Sequence, residues 1–249
     1  MQFKAVIFDL GDTLILTDRW DYNKCLAKLL KSLQHDNVIV STSFEEFRRV
    51  YFKVRRQMYL ESEQSLREVN FRLRIAETLK RFNHNFAHES PIITRAVEAF
   101  IEAFIEDVRM EAYVLPLLTR LKKKYKLGLV SNFAYSPGFW KILQRFNLTR
   151  FFDAVVVSGE LGLRKPHPRI FKEALKTLGV EAAEAVFVGD SLKADIDGAK
   201  NMGFTTILVE NTGLRKNPYA ILGELDPIPV KPDRAIPNLR SLSKILEVL

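Results

Sequence analysis

Cysteine is nearly absent from this chain of 249 residues: Cys25 is the single one, and the four histidines do not join it at zinc-ligand spacing. An intramolecular disulfide is excluded, a thiolate or imidazole metal centre is unsupported, and a reducing cytoplasm is the expected setting. Uninterrupted apolar runs long enough to cross a bilayer, about 18 residues or more, are missing too, so no membrane helix is expected. Met1 leads directly into a strand-like segment instead of an apolar leader, which reads as a soluble, unprocessed protein. Internal repeats, low-complexity tracts and recognised nucleic-acid modules are also lacking. The net charge of +8 alone would suit a polyanion. However, the bases alternate with acids, as in Glu45, Glu46, Arg48, Arg49 and Glu61, Glu63, Arg67, Glu68, which is the pattern of solvated helix faces. No nucleic-acid partner is expected.

The hydrophobic content of 47% is enough to fill a large α/β core with a smaller insert. The short run of strand formers from Phe3 to Phe8 stops at Asp9-Leu10-Gly11-Asp12, as a buried strand ending in a turn does. From about 20 to 110 the apolar residues switch to helical spacing: Leu26, Leu29, Leu30, Leu33, then Phe44, Phe47, Val50, Tyr51, Val54, then Leu66, Val69, Leu73, Ala76. Ser90-Pro91 opens a fourth helix, with a capping serine and a first-turn proline. Strand and helix then alternate, with strands over 127–131, 153–157, 185–189 and 205–209. Helices fall near 113–124, 138–146, 168–178, 193–202 and 238–248. The proline-rich stretch 211–237 reads as turns and loop. Such alternation predicts an α/β fold with a parallel sheet, helices on both faces and right-handed crossovers. Ligands of these sheets gather beyond the carboxyl ends of the strands. Here those ends carry Asp9, Ser131, Ser158-Gly159 and Gly189-Asp190.

Carboxylates from separate strand ends, Asp9 and Asp190, with Asp195 shortly after, make an oxygen-rich pocket suited to a hard cation such as Mg²⁺. Lys165, in the loop Gly162-Leu163-Arg164-Lys165-Pro166, and the Ser131 hydroxyl add the positive charge and the donor that phosphoryl oxygens require.

Taken in order, Phe8-Asp9-Leu10-Gly11-Asp12-Thr13-Leu14, Val130-Ser131-Asn132, Gly162 to Pro168 with Ile170-Phe171, and Val188-Gly189-Asp190-Ser191 continuing to Asp195, Gly198-Ala199 and Gly203 resemble the four motifs of the haloacid dehalogenase-like hydrolase superfamily. The likeness runs from residue 3 to about 210. It implies a Rossmann-like three-layer core over residues 1–16 and 112–249, with a helical cap of the C1 type inserted as residues 17–111. By the same resemblance Asp9 is the nucleophile, and Ser131 and Lys165 hold the phosphoryl group. Asp9, the Gly11 carbonyl, Asp190 and Asp195 are expected to ligate or support Mg²⁺, and Asn132 to contact the substrate. Arg19 and Trp20, where the chain enters the insert, are the candidate specificity residues, and the expected substrate is a small phosphorylated metabolite. Asp12, His167 and Asp197 are assigned to structure, as are the aromatics Phe44, Phe47 and Tyr51.

The pattern departs from phosphatases of the superfamily at Gly11, where they carry an aspartate serving as general acid and base. Four readings remain open: a slow or leaving-group-selective phosphatase, a 2-haloacid dehalogenase, a phosphonate hydrolase using a cap lysine (Lys24, Lys28 or Lys53), and a non-catalytic phosphate-binding regulator.

Overall fold

The computed structural model describes residues 3–211 and 230–249. Ala5–Phe8 forms β1, and four helices follow it: α1 (Tyr22–His35), α2 (Phe44–Ser65), α3 (Phe71–Lys80) and α4 (Pro91–Asp107). Each begins at a capping side chain that accepts from backbone amides left unpaired at a helix start: Asp21, Ser43, Asn70 and Ser90. Phe47 and Tyr51 are fully buried among these helices and Phe44 packs partly buried against them, as their helical spacing implied. The chain enters and leaves this helical segment side by side. Leu16 and Arg109 exchange backbone hydrogen bonds of 2.7 and 3.2 Å, and the Arg109 guanidinium grips both oxygens of Asp18 at 2.9 Å.

The alternating remainder comprises α5 (Val114–Lys122), β2 (Lys126–Ser131), α6 (Ser136–Arg145), β3 (Ala154–Val157), α7 (Ser158–Leu161), α8 (Pro168–Leu178), β4 (Ala185–Gly189), α9 (Gly198–Asn201), β5 (Thr205–Val209), β6 (Arg234–Ile236) and α10 (Leu242–Val248). All neighbouring strands pair in parallel, in the order β3-β2-β1-β4-β5-β6, so β1 is central between β2 and β4. Side chains alternate across the sheet. Val6, Phe8, Leu127 and Leu129 join the apolar cluster shared with α1, α4 and α6, whereas Ala5, Ile7, Val130 and Phe187 pack with α8 and α9. Burying each such large side chain contributes about 1.5–3 kcal/mol, and both faces are covered.

Three elements depart from the sequence reading. The third helix begins at Phe71, so Leu66, which caps α2, and Val69 precede it, and Leu73 is exposed while Phe71, Ile75 and Leu79 are buried. The expected helix over 193–202 is a π-type turn, Leu192–Asp197, continuing into the short α9. Its geometry follows from Asp195, whose carboxylate folds back to accept from the Ser191 amide at 3.0 Å. Gly189 is required here, because a Cβ at 189 would overlap that carboxylate. Within the stretch 211–237, residues 212–229 lie outside the described residues. The end of the stretch is not loop but β6, only three residues long and placed between Pro232 and Pro237.

Candidate active site

The register places Phe8 beside Leu129 of β2 and Val188 of β4, so Asp9, Ser131 and Gly189-Asp190 leave the sheet at one edge. Asp9 is buried, and its Oδ1 accepts from Lys165 Nζ at 2.5 Å. The same ammonium meets Asp195 Oδ1 at 2.7 Å and donates to the Val130 carbonyl at 2.8 Å. Lys165, only 2% exposed, is thus held by one neutral and two anionic oxygens. Asp190, half-buried, completes an acidic trio: Asp9, Asp190 and Asp195 each offer an oxygen within 4.8 Å of the others.

Burial dominates the electrostatics of Asp9. It opposes the charged form, the ammonium of Lys165 opposes that effect, and the Asp195 charge reinforces it, leaving the Asp9 carboxyl pushed up to about 7. Burial also opposes the charge on Lys165, but Asp195 and Asp9 more than offset it and hold the ammonium above its usual range. A fixed cation therefore sits against a carboxylate whose remaining charge is poorly compensated. Such a site favours a second, divalent cation.

The loop bearing Lys165 is fastened from two sides. Asn132 uses both ends of its amide on the Lys165 backbone, accepting from its N–H at 2.7 Å and donating to its carbonyl at 3.1 Å. From the helical segment, the chain just after α2 pairs with the loop: Glu68 N donates to Gly162 O at 3.1 Å and Arg164 N to Leu66 O at 3.0 Å. Glu63 of α2 forms an ion pair with Lys193, in the turn before Asp195, and lies 3.6 Å from Arg164, whose guanidinium covers the Tyr59 ring. One carboxylate thus joins the helical segment to the Lys165 loop and to the Asp195 turn. Glu68 adds a further tie, since its Oε2 accepts from Ser158 Oγ at 2.5 Å, and that oxygen in turn accepts from the amide of Phe133 at 2.8 Å. Glu63 and Glu68 gave no signal in the sequence, where they read as solvated helix charges. Partly buried, Glu63 is worth about 1 kcal/mol to this docking. Glu63→Gln is expected to lower kcat/KM about fivefold while barely moving the melting temperature, as steady-state kinetics and thermal melts will show.

The other residues singled out in the sequence are placed as follows. Ser131 is buried at the end of β2. Gly11 follows β1 with open space where a Cβ would project and without the positive φ that would strain a side chain. Arg19 is exposed. Trp20 packs on Tyr22 and edge-on to Phe104, with its indole N–H on Cys25 Sγ at 3.3 Å. Asp12 is engaged by the amide and hydroxyl of Thr17, His167 caps α8 and Asp197 accepts from Asn201, all structural contacts. Of the three lysines considered for a Schiff base, Lys28 and Lys53 are exposed. Lys24 is drawn up to about 12 by its hydrogen bonds to Asp107 and Glu106, whereas an amine nucleophile needs a depressed value.

A strand-end aspartate gripped by a buried lysine, with two further aspartates from a neighbouring strand end, fits the model for haloacid dehalogenase-like hydrolases, which matches residues 3–203. The chain belongs to that family. It is 31% identical over 220 residues to a glyceraldehyde 3-phosphate phosphatase of Methanopyrus kandleri, covering 83% of each sequence. It is also 31% identical over 224 residues to the human N-acylneuraminate-9-phosphatase, covering 85% of this chain and 84% of that one. Among solved structures, a 2-haloacid dehalogenase of Pseudomonas syringae superposes with a TM-score of 0.68 over 99% of both chains, at 24% identity. That structural likeness establishes the fold, which phosphatases and dehalogenases of this family share. Among the described residues no helix is long and apolar enough to cross a membrane.

Proposed function

We propose that this hydrolase is a Mg²⁺-dependent phosphatase of small phosphorylated metabolites, with Asp9 as the nucleophile. The observation that carries the reading is the convergence of Asp9, Asp190 and Asp195 on one point, with Lys165 against two of them. The chemistry of the donor set, three carboxylates of which two are buried and one half-buried, fits a hard divalent cation. Mg²⁺ held by Asp9, Asp190 and the Gly11 carbonyl, with Asp195 in support, would neutralise carboxylate and phosphoryl charge together.

Lys165, fixed by Asn132 and by its ion pairs, positions its ammonium beside Asp9, where a phosphoryl oxygen also gains from it. Ser131, at the end of the adjacent strand, donates its hydroxyl to the same group. Asp9 then attacks phosphorus, the ester oxygen leaves, and water hydrolyses the acyl phosphate to restore the carboxylate. Residues 17–111 act as a cap over this edge, docked by Glu63 and Glu68. A cytoplasmic location fits the single, buried Cys25.

The curated phosphatase relatives support this reading, and so does the carboxylate trio, which a metal-free dehalogenase has no use for. Chelation should abolish turnover of p-nitrophenyl phosphate, and added Mg²⁺ should restore it. Asp190→Ala should reduce turnover by more than the 10–100-fold typical of losing a mere outer partner of a metal site. Full activity in excess chelator, with chloride released from 2-chloropropionate, would instead establish dehalogenation.

A further inference from the structure

Arg74 of α3 is a half-buried guanidinium without an ion pair among the described residues. Its Nη1 donates to the Tyr51 hydroxyl at 3.4 Å and its guanidinium lies 5.3 Å over the Phe71 ring. Its Nε is buried without a hydrogen-bond partner, and among the described residues no carboxylate lies within ion-pair distance. The field of Glu68 reaches it. The Glu68 carboxylate accepts instead from Ser158 Oγ at 2.5 Å and from the Val69 amide at 2.9 Å, and does not come within ion-pair distance of the guanidinium. A cation with part of its guanidinium desolvated is normally paired, because leaving it unpaired is costly. A guanidinium retained in such a position implies an anion supplied from outside the chain.

The location fits. Phe71, which supports the guanidinium, donates its amide to Ala134 in the loop that follows Ser131-Asn132. Ser158, which holds Glu68, follows Val157, the register partner of Ser131. Arg74 thus lies one helical turn along α3 from the contact between the helical segment and the loop that follows Ser131-Asn132. Next to Arg74, the buried hydroxyls of Tyr51 and Tyr22 are hydrogen-bonded to each other at 2.5 Å.

Resting on the phosphatase reading above, we propose that Arg74 is a specificity-determining residue that binds a carboxylate carried by the substrate, so that the preferred substrates are phosphomonoesters bearing a carboxylate. A carboxylate is a planar monoanion that matches the guanidinium fork and balances its single charge. A second phosphoryl dianion would leave one charge uncompensated.

The test is calorimetric binding of 3-phosphonopropionate and of propylphosphonate in saturating Mg²⁺; the two probes have the same carbon chain length and differ in the terminal carboxylate. Wild type is expected to bind the carboxylated probe about 10- to 100-fold more tightly. Arg74→Gln should bring that ratio close to one, and Arg74→Lys should give an intermediate value. Equal or undetectable binding of both probes by wild type overturns the inference, whatever the variants do. So does an equal loss of affinity for both in Arg74→Gln, which would mark a structural role. Turnover of p-nitrophenyl phosphate is measured alongside. Turnover with equal binding overturns only the Arg74 assignment, whereas absence of Mg²⁺-dependent turnover overturns the phosphatase reading itself.

Discussion

Asp9→Asn is expected to abolish turnover, with kcat falling by at least about 10⁴-fold, because the amide keeps the shape of the carboxylate but cannot attack phosphorus. The fold should survive. Asp9 is one of the two carboxylates paired with Lys165, and removing it leaves the ammonium paired with Asp195 and hydrogen-bonded to Val130. It also removes a buried charge that burial and Asp195 already disfavour. Thermal melts should therefore place the variant level with wild type or above it when both are stripped of metal. Steady-state assays with p-nitrophenyl phosphate, with purification controls against contaminating phosphatase, check the kinetic half. Wild-type activity in the variant would remove Asp9 from its assigned role.

Gly11→Asp should have the opposite effect. Without a carboxylate at this position no group is identified to protonate the leaving oxygen, so wild type should hydrolyse aryl or acyl phosphates far better than alkyl ones. Loss of a general acid and base is typically worth about 10² to 10⁴ in rate. The structure provides what the substitution needs, since a Cβ at 11 meets nothing within 4 Å and the backbone is not in the left-handed region. Gly11→Asp should therefore fold normally and gain up to about 10²-fold or more on glycerol phosphate, with a smaller change on p-nitrophenyl phosphate. If wild type hydrolyses both equally and the folded variant gains nothing, another side chain supplies the proton.

The sheet and the meeting of Asp9, Ser131 and Asp190 at its edge were legible because each depends on short-range rules. A four-residue apolar strand such as Ala5–Phe8 has to end somewhere, and the polar residue after it is presented at the sheet edge. Asp9, Ser131 and Asp190 all follow from that, whereas the turn Leu192–Asp197 that returns Asp195 toward them reads in sequence as part of a regular helix. The existence of four helices in the insert was equally plain from apolar periodicity and from Ser90-Pro91, although the third begins only at Phe71 and buries Phe71, Ile75 and Leu79 instead of Leu66, Val69 and Leu73. Contacts between the insert and the core were not, because they join residues far apart in the chain. Glu63 and Lys193 are both charged residues on polar faces, and nothing local in either marks them as an ion pair. Arg19 and Trp20 were chosen for proximity in sequence, yet Arg19 is exposed and Trp20 sits in an aromatic cluster with Tyr22 and Phe104. Arg74 reads in sequence like any helical arginine, and its want of a counterion is visible only once the fold is known.

Covalent participation of Asp9 is tested most directly by acid quenching during turnover of p-nitrophenyl phosphate with Mg²⁺, followed by mass spectrometry of the peptide that carries Asp9. Because Gly11 leaves the water of the second step without its activating carboxylate, the acyl phosphate should accumulate. The expected result is a phosphoryl adduct on Asp9 in wild type, lost with chelator and in Asp9→Asn. Sustained Mg²⁺-dependent turnover with the peptide unmodified in wild type and Gly11→Asp alike, or with the adduct on another residue, would contradict it.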